Sequence, residues 1–157
     1  MKRTLHPIAG GIAILVIAAF WLSTVISELS GSERFIILVK TLIPWGFILL
    51  IPALAVAGGT GFALAGRRPG GGSGGLALQK RRRMPVIAAN GLLILIPSAL
   101  FLAARAQAGV FDAAFYAVQA VELAVGAVNL WLLVKNAVDG RKMTAGRRRA
   151  GRTGGPA

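Results

Sequence analysis

Four long apolar stretches dominate the pattern of the chain, and they cover residues 8–26, 41–65, 86–104 and 110–134. A helix rises 1.5 Å per residue, so each stretch is long enough to cross the ~30 Å hydrocarbon core of a bilayer. Most charged side chains lie between the stretches. The pattern therefore predicts an all-α fold, an integral membrane bundle of four transmembrane helices arranged as two antiparallel hairpins.

Local signals at the ends of the stretches refine the helix bounds. Pro7 suits a first helical turn, where its missing N–H group is not needed. Ser30 and Glu33 have the spacing of a capping box, which predicts interfacial helical turns before the second span. Asp112 is the expected N-cap of the fourth helix. The predicted transmembrane helices are 7–28, 41–65, 85–105 and 111–135.

Two segments outside these helices are predicted to be flexible by composition. Residues 66–80 contain a run of glycine and serine, which is typical of a flexible linker. Residues 136–157 are basic and rich in glycine, and we expect a disordered tail. A third glycine-rich run, at 58–61, falls inside an apolar helix, where small residues favour close approach of helices.

The distribution of basic residues predicts the orientation. Of the 18 lysine and arginine residues, two precede the first stretch, six lie between the second and third, and seven follow the fourth. Only three, Arg34, Lys40 and Arg105, lie on the other side. Loops rich in lysine and arginine stay in the cytoplasm. We therefore expect a multi-pass protein of the cell inner membrane with both termini, and the 66–80 loop, in the cytoplasm.

The net charge of +13 raises the question of nucleic-acid binding. Basic loops beside membrane helices also bind anionic headgroups, at about 1 kcal/mol per residue near the surface. No aromatic residue is interleaved with the basic clusters to stack on bases. The expected partner is thus the lipid bilayer and not nucleic acid.

Glu122 is the main candidate for a functional residue, because it lies near the middle of the fourth apolar stretch. An acidic residue at that depth costs on the order of 2.5–3.5 kcal/mol on insertion scales, so it should face protein or water. Gln119, Gly126 and Asn129 share its helical face, which should point into the bundle. Glu122 can be a hydrogen-bonding residue that holds helices together, or part of a proton or cation site.

The protonation state of Glu122 has two alternatives. The candidate cationic partners, Lys40 and Arg105, are placed near the outer interface by counting residues, with Lys40 extending outward. At that separation we expect a neutral carboxyl group, because burial disfavours the charged form. Direct pairing with either cation would require a different depth of the helices.

Three prolines inside the apolar stretches predict helix kinks, since proline cannot donate its backbone hydrogen bond. The kinks are expected at Pro44, Pro52 and Pro97. The last two free the carbonyl groups of Ile48 and Leu93 near mid-membrane, where they could help to bind a small cation. Such kinks are equally ordinary in membrane helices without function.

Other candidate chemistry is sparse. The chain contains no cysteine, which excludes disulfides and thiolate ligands. His6 is the only histidine and a weak candidate metal or haem ligand, since haem b in a helical bundle usually needs two facing imidazoles. Asn90 and Asn129 are expected to hydrogen-bond between helices. No cofactor is predicted.

Several short strings occur together in the order Leu5-His6-Pro7, Phe20-Trp21-Leu22-Ser23-Thr24-Val25, Ile43-Pro44-Trp45-Gly46-Phe47, Met84-Pro85 with Ala88-Ala89-Asn90-Gly91, and Phe115-Tyr116-Ala117-Val118-Gln119 before Glu122. With these strings the chain resembles a group of uncharacterised small four-helix inner-membrane proteins of proteobacteria, over most of residues 5–135. The resemblance implies no catalytic residue.

Together these observations favour a membrane protein without enzymatic activity. The expected role is structural or accessory, in a homo-oligomer or in a larger membrane complex. Two alternatives remain open. One is a small proton- or cation-coupled transporter centred on Glu122, and the other is a redox subunit that binds haem or quinone.

Overall fold

The computed structural model describes the backbone of residues 2–66 and 83–153, and the side chains of residues 5–60 and 83–141. In these ranges the regular structure is entirely helical. The helices are α1 (Lys2–Leu29), α2 (Glu33–Gly66), α3 (Arg83–Gln107) and α4 (Ala113–Thr153). The predicted all-α, four-helix fold is confirmed.

All four helices are long and apolar enough to cross a membrane. Their apolar segments are Leu5–Leu29, Glu33–Thr60, Arg83–Gln107 and Ala113–Arg141, with mean hydropathy from 1.8 to 2.3. Large apolar side chains cover the outside of the bundle, and Leu15, Ile48 and Leu93 are each 70% exposed or more. Such a surface is stable against hydrocarbon and unfavourable in water. The chain is an integral, multi-pass membrane protein.

The helices are arranged so that each packs against two neighbours. α1 contacts α2 and α4, and α3 contacts the same two helices. α2 and α4 are therefore diagonal partners across the bundle. Short connections at 30–32 and 108–112 join α1 to α2 and α3 to α4. We call the end of the bundle that carries both connections the hairpin end, and the other the terminal end.

The buried core runs along the bundle in three clusters. The cluster at the hairpin end consists of Ile36, Leu102, Ala106 and Phe115. In the middle, the rings of Phe20 and Phe47 meet edge to face with centroids 6.1 Å apart. Gly46 fits closely here, since a Cβ atom at this position would overlap the Phe20 ring unless the ring shifted.

The connection at 108–112 ends one helix and starts the next by local hydrogen bonds. Gly109 has φ +67°, and its N–H group donates to the Ala106 carbonyl while that of Val110 donates to Arg105. These two bonds form a Schellman motif, which favours glycine at the left-handed position. Asp112 Oδ1 then accepts the Phe115 N–H group at 2.9 Å, so the predicted N-cap is confirmed.

The first two helices begin differently from the predictions. α1 already begins at Lys2, so Pro7 lies within the helix instead of at its start. The predicted capping box is wrong, because Glu33 is the first residue of α2 and not its third. Ser30 instead donates its hydroxyl to the Ser27 carbonyl and accepts the N–H group of Ser32. α2 is helical from residue 33, which confirms the predicted helical turns before the second span. The apolar segment itself begins at Glu33, before the predicted 41.

The segments predicted to be flexible have two outcomes. α4 continues to Thr153, so the predicted end at 135 was too early and residues 136–153 are helical instead of disordered. Strongly helix-forming residues such as alanine, lysine and arginine populate this segment. Residues 154–157 and the loop residues 67–80 lie outside the described residues.

The prolines are accommodated in two ways. Pro44 and Pro52 lie within the continuous α2. In α3, residues Asn90–Leu95 form a π-helical turn directly before Pro97, and the Ile96 N–H group donates to the Gly91 carbonyl five residues earlier. A wider turn is one way for a helix to continue past a proline without its usual hydrogen bond.

Candidate functional site

The predicted polar face of α4 lies on the buried side of the bundle. Gln119 is 4% exposed and Asn129 is 2% exposed. The Trp21 ring packs against Gly126, and Trp21 Nε1 donates to the Leu123 carbonyl at 3.0 Å. Through this contact α1 packs against α4 within one turn after Glu122 along the chain. The face therefore presents Glu122 to the centre of the bundle.

Lys40 of α2 is the partner of Glu122. Its Nζ atom lies 2.6 Å from Glu122 Oε2, and the exposed fractions of the two side chains are 1% and 13%. Lys40 also donates to Thr24 Oγ1 of α1 at 3.5 Å, and Gln119 Nε2 lies 3.4 Å from Glu122 Oε2. The ion pair thus joins two diagonal helices through the middle of the bundle, with α1 at its side.

One expectation about these residues was wrong. Lys40 does not extend outward: its Nζ atom lies 2.6 Å from Glu122 Oε2, so the separation from which a neutral carboxyl group was predicted is absent, and the neutral form of Glu122 stays a prediction. The reason is the start of α2 at Glu33, which sets Lys40 about 10 Å along its helix, against about 14 Å for Glu122 along α4. The long lysine side chain covers the small difference.

A second carboxyl group, Glu28 of α1, lies near the pair and was missed by the sequence analysis. It interacts electrostatically with both Lys40 and Glu122. Its Oε1 atom is buried and has no hydrogen-bond partner among the described residues. Thr24 is one helical turn away on the same face, so the shared face of Thr24 and Glu28 was the available signal.

We call Glu28, Lys40, Glu122, Thr24 and Gln119 the buried charge cluster. It contains two carboxyl groups and one ammonium group, so with all three ionised it carries a charge of −1. Such a group can be neutralised by one proton shared between the carboxyl groups or by a small cation. It can equally be stable as it is, because the Lys40–Glu122 pair compensates most of the charge.

Arg105, the other cation considered, has a different partner. Its guanidinium group lies 2.6 Å from Asp112 Oδ2 and 5.2 Å from the centre of the Phe101 ring. This pair lies at the connection between α3 and α4: Arg105 is in the last turn of α3, and Asp112 lies between the two apolar segments. The N–H group of Phe115, and to a lesser extent Arg105, lowers the pKa of the Asp112 carboxyl group.

The remaining candidates do not join the cluster. His6 lies toward the terminal end, where Nδ1 donates to the Ala57 carbonyl at 2.9 Å and lies 3.2 Å from Thr60 Oγ1. Asn90 begins the π-helical turn and lines a shallow groove between α3 and α4. Asn129 is buried two turns beyond Glu122, and its Oδ1 atom has no partner among the described side chains.

The described part of the chain contains no cluster of side chains that could bind a metal ion. Within residues 5–60 and 83–141, no three histidine, aspartate or glutamate side chains converge as metal ligands. Two open grooves lie on the outside of the bundle, and neither is lined by a residue of the buried charge cluster. The cluster is a packed polar centre within the helices.

Comparison with known proteins does not place the chain in a family. No family model, no curated protein and no solved structure matches it. The resemblance to small proteobacterial four-helix proteins therefore stays a prediction. The fold defines the class of protein, an α-helical integral membrane protein with four spans, and the site must be interpreted from its own geometry.

Proposed function

We propose that the protein is a non-enzymatic structural or accessory component of the cell inner membrane, which associates with itself or with a larger membrane complex. The observation that carries this proposal is the Lys40–Glu122 ion pair. The two charges are satisfied within the chain and connect diagonal helices. A buried ion pair of this kind favours one arrangement of the helices over others, which is a structural role.

The surface of the terminal end supports the association. A Cβ atom at Gly10 or Gly11 of α1, or at Gly58 or Gly59 of α2, would meet no atom within 4 Å. The close approach of helices that was predicted at residues 58 and 59 is thus not made inside the described chain. Small residues on an outer face let a helix of another chain approach closely in a membrane.

Cysteine cross-linking tests the association with itself, because the chain has no cysteine of its own. We expect Gly59→Cys to form disulfide-linked dimers when membranes are oxidised. Val86→Cys is the matched control, since Val86 is 49% exposed on α3 and also lies toward the terminal end. It should stay monomeric. Equal cross-linking of both variants would reflect random collision and contradict a specific contact.

Association with other proteins requires a separate measurement. Mass spectrometry of the gently extracted protein should show either a homo-oligomer or a stoichiometric second membrane protein. A solitary monomer in this experiment, together with no cross-linking of Gly59→Cys, would overturn the accessory role.

The orientation is part of the same proposal. We place both termini in the cytoplasm and the hairpin end outside, on the strength of the asymmetric lysine and arginine distribution. Reporter fusions after Gly75 and Gly140 should report the cytoplasm, and a fusion near Ser32 should report the outside. A cytoplasmic signal at Ser32 would reverse the model.

One observation favours a second candidate, a small proton- or cation-coupled transporter. Beside the ion pair, Glu28 has a buried carboxylate oxygen with no hydrogen-bond partner among the described residues, so one more positive charge would neutralise the cluster. Ionisable groups inside membrane helices commonly mark ion pathways. The proton would bind to the carboxyl groups at the hairpin end of the bundle.

Flux measurements in proteoliposomes distinguish the two candidates. If the protein transports, an imposed pH gradient should drive flux in the parent, and Glu28→Gln should abolish it. Glu33→Gln is the control, since Glu33 is an exposed carboxyl group five residues away. Absence of flux in a folded parent protein would exclude proton-coupled transport and leave the structural role.

A further inference from the structure

A groove runs along the outside of the bundle between α1 and α4, separate from the buried charge cluster. It has a volume of about 280 Å³ and is lined by Trp21, Ala127, Leu130, Trp131 and Val134. The lining is apolar apart from the indole nitrogens. Trp131 is 57% exposed and Val134 is 44% exposed, so the groove is open toward the lipid.

A positive charge lies beside the groove. Lys135 Nζ is 4.3 Å from the centre of the Trp131 ring, a distance at which a cation and an aromatic face attract each other. None of the ion pairs among the described residues includes Lys135. The nearby Asp139 is already paired with Arg83 at 2.9 Å. The charge of Lys135 therefore lacks a carboxylate partner in the described part of the chain.

The depth of these residues matches the two parts of a phospholipid. Lys135 is 22 residues after Ala113, about 33 Å along α4, which is close to the thickness of the hydrocarbon core. It thus lies at headgroup level at the terminal end. Ala127 lies about 12 Å deeper along the same helix, among the acyl chains. Trp131 lies between them, as expected for an interfacial tryptophan.

We propose that this groove binds one anionic phospholipid, whose acyl chain lies against Trp21, Ala127 and Leu130 and whose phosphate pairs with Lys135. A zwitterionic headgroup brings its own ammonium group near Lys135 and compensates the charge less well. The Trp131 ring restrains the lysine side chain, so less freedom is lost when the phosphate binds. The inference depends on the transmembrane fold and not on the accessory or transport role.

Native mass spectrometry of the full-length protein in detergent tests the site. The parent should retain one phosphatidylglycerol molecule in preference to phosphatidylcholine. Ala127→Phe fills the groove without changing the charge and should abolish retention. Lys135→Gln should weaken phosphatidylglycerol binding about fivefold, the effect of one interfacial charge, and remove the preference. Lys135→Arg should keep it.

A matched variant controls for any general effect that a larger side chain on α4 has on lipid binding. Ala124 is also exposed on α4, but it lines the other groove, beside Asn90. Ala124→Phe should therefore bind phosphatidylglycerol as the parent does. Unchanged retention in Ala127→Phe, equal loss in Ala124→Phe, equal binding of the two lipids by the parent, or displacement of the lipid by excess inorganic phosphate would overturn the proposal.

Discussion

Two ion pairs in this protein have the same nitrogen–oxygen distance but differ in how far their side chains are exposed. In the Lys40–Glu122 pair and in the Arg105–Asp112 pair, the nitrogen and oxygen atoms are 2.6 Å apart. The first pair lies inside the bundle, with exposed fractions of 1% and 13%, and the second lies at a connection, with 32% and 46%. The distance alone therefore does not show which pair contributes more to stability. Their different exposure does.

The two pairs differ in how well the remaining charge is solvated when one member of the pair is removed. At the connection, water and ions solvate whichever charge remains, so an exposed pair contributes little. Inside the bundle, a remaining charge has only a few polar neighbours, such as Thr24 and Gln119, and little exposure to solvent. Breaking a buried pair by removing one member is strongly destabilising for that reason.

The largest expected effect follows from removing one charge of the buried pair. Glu122→Gln keeps the shape of the side chain and leaves Lys40 without its carboxylate. We expect the protein to lose about 3–5 kcal/mol of stability, a fall in unfolding midpoint of roughly 10 °C or more in detergent. Thermal unfolding followed by circular dichroism measures it. An unchanged midpoint would mean that Glu122 is a neutral acid after all.

The matched control removes both charges together. Lys40→Met with Glu122→Leu replaces the pair by apolar side chains of similar size, so neither member of the pair is left without the other. Glu28 loses its attraction to Lys40 and its repulsion from Glu122 together. We expect this double variant to be within about 1 kcal/mol of the parent or more stable. A double variant as unstable as Glu122→Gln would mean that packing, and not the unpaired charge, causes the loss.

The two pairs also differ in how far the sequence predicts them. Arg105 and Asp112 are seven residues apart across a glycine turn, and the N-cap at Asp112 was predicted from the residue type alone. Lys40 and Glu122 are 82 positions apart. Their pairing depends on the relative depth of two diagonal helices. Placing the turns before residue 41 at the interface, with Lys40 extending outward, was enough to hide it.

The lengths of the four apolar stretches predicted most of the fold, because each stretch has only one way to satisfy its backbone in a bilayer. The spacing of Gln119, Glu122 and Asn129 predicted the inward face of α4. It could not give the proximity of Glu28, because lipid and neighbouring helices are equally apolar and the rotation of a helix leaves little trace in sequence.

A smaller effect is expected when the exposed pair is broken. Arg105→Gln should change the unfolding midpoint by no more than a few degrees, since Asp112 remains solvated and still accepts the Phe115 N–H group. Adding salt should shrink even this difference, because exposed charges are screened within about 10 Å at 0.1 M. The Glu122→Gln difference should persist in salt. A large, salt-independent loss in Arg105→Gln would remove the contrast between the pairs.

The smallest effect concerns the charge on Asp112, and it depends on pH. The Phe115 N–H group lowers the pKa of this carboxyl group in the folded protein, so the folded state holds its proton less tightly than the unfolded state does. The stabilisation is thus fully present above the ordinary aspartate range, at about pH 5 and higher, and is lost as the pH falls through the lowered folded value. Asp112→Asn keeps an oxygen that can accept the same N–H group but does not titrate. We expect the parent to unfold at a slightly higher temperature than Asp112→Asn at neutral pH, with the gap closing in acid. A gap that stays constant or widens on acidification would show that the charge of Asp112 does not contribute to the cap.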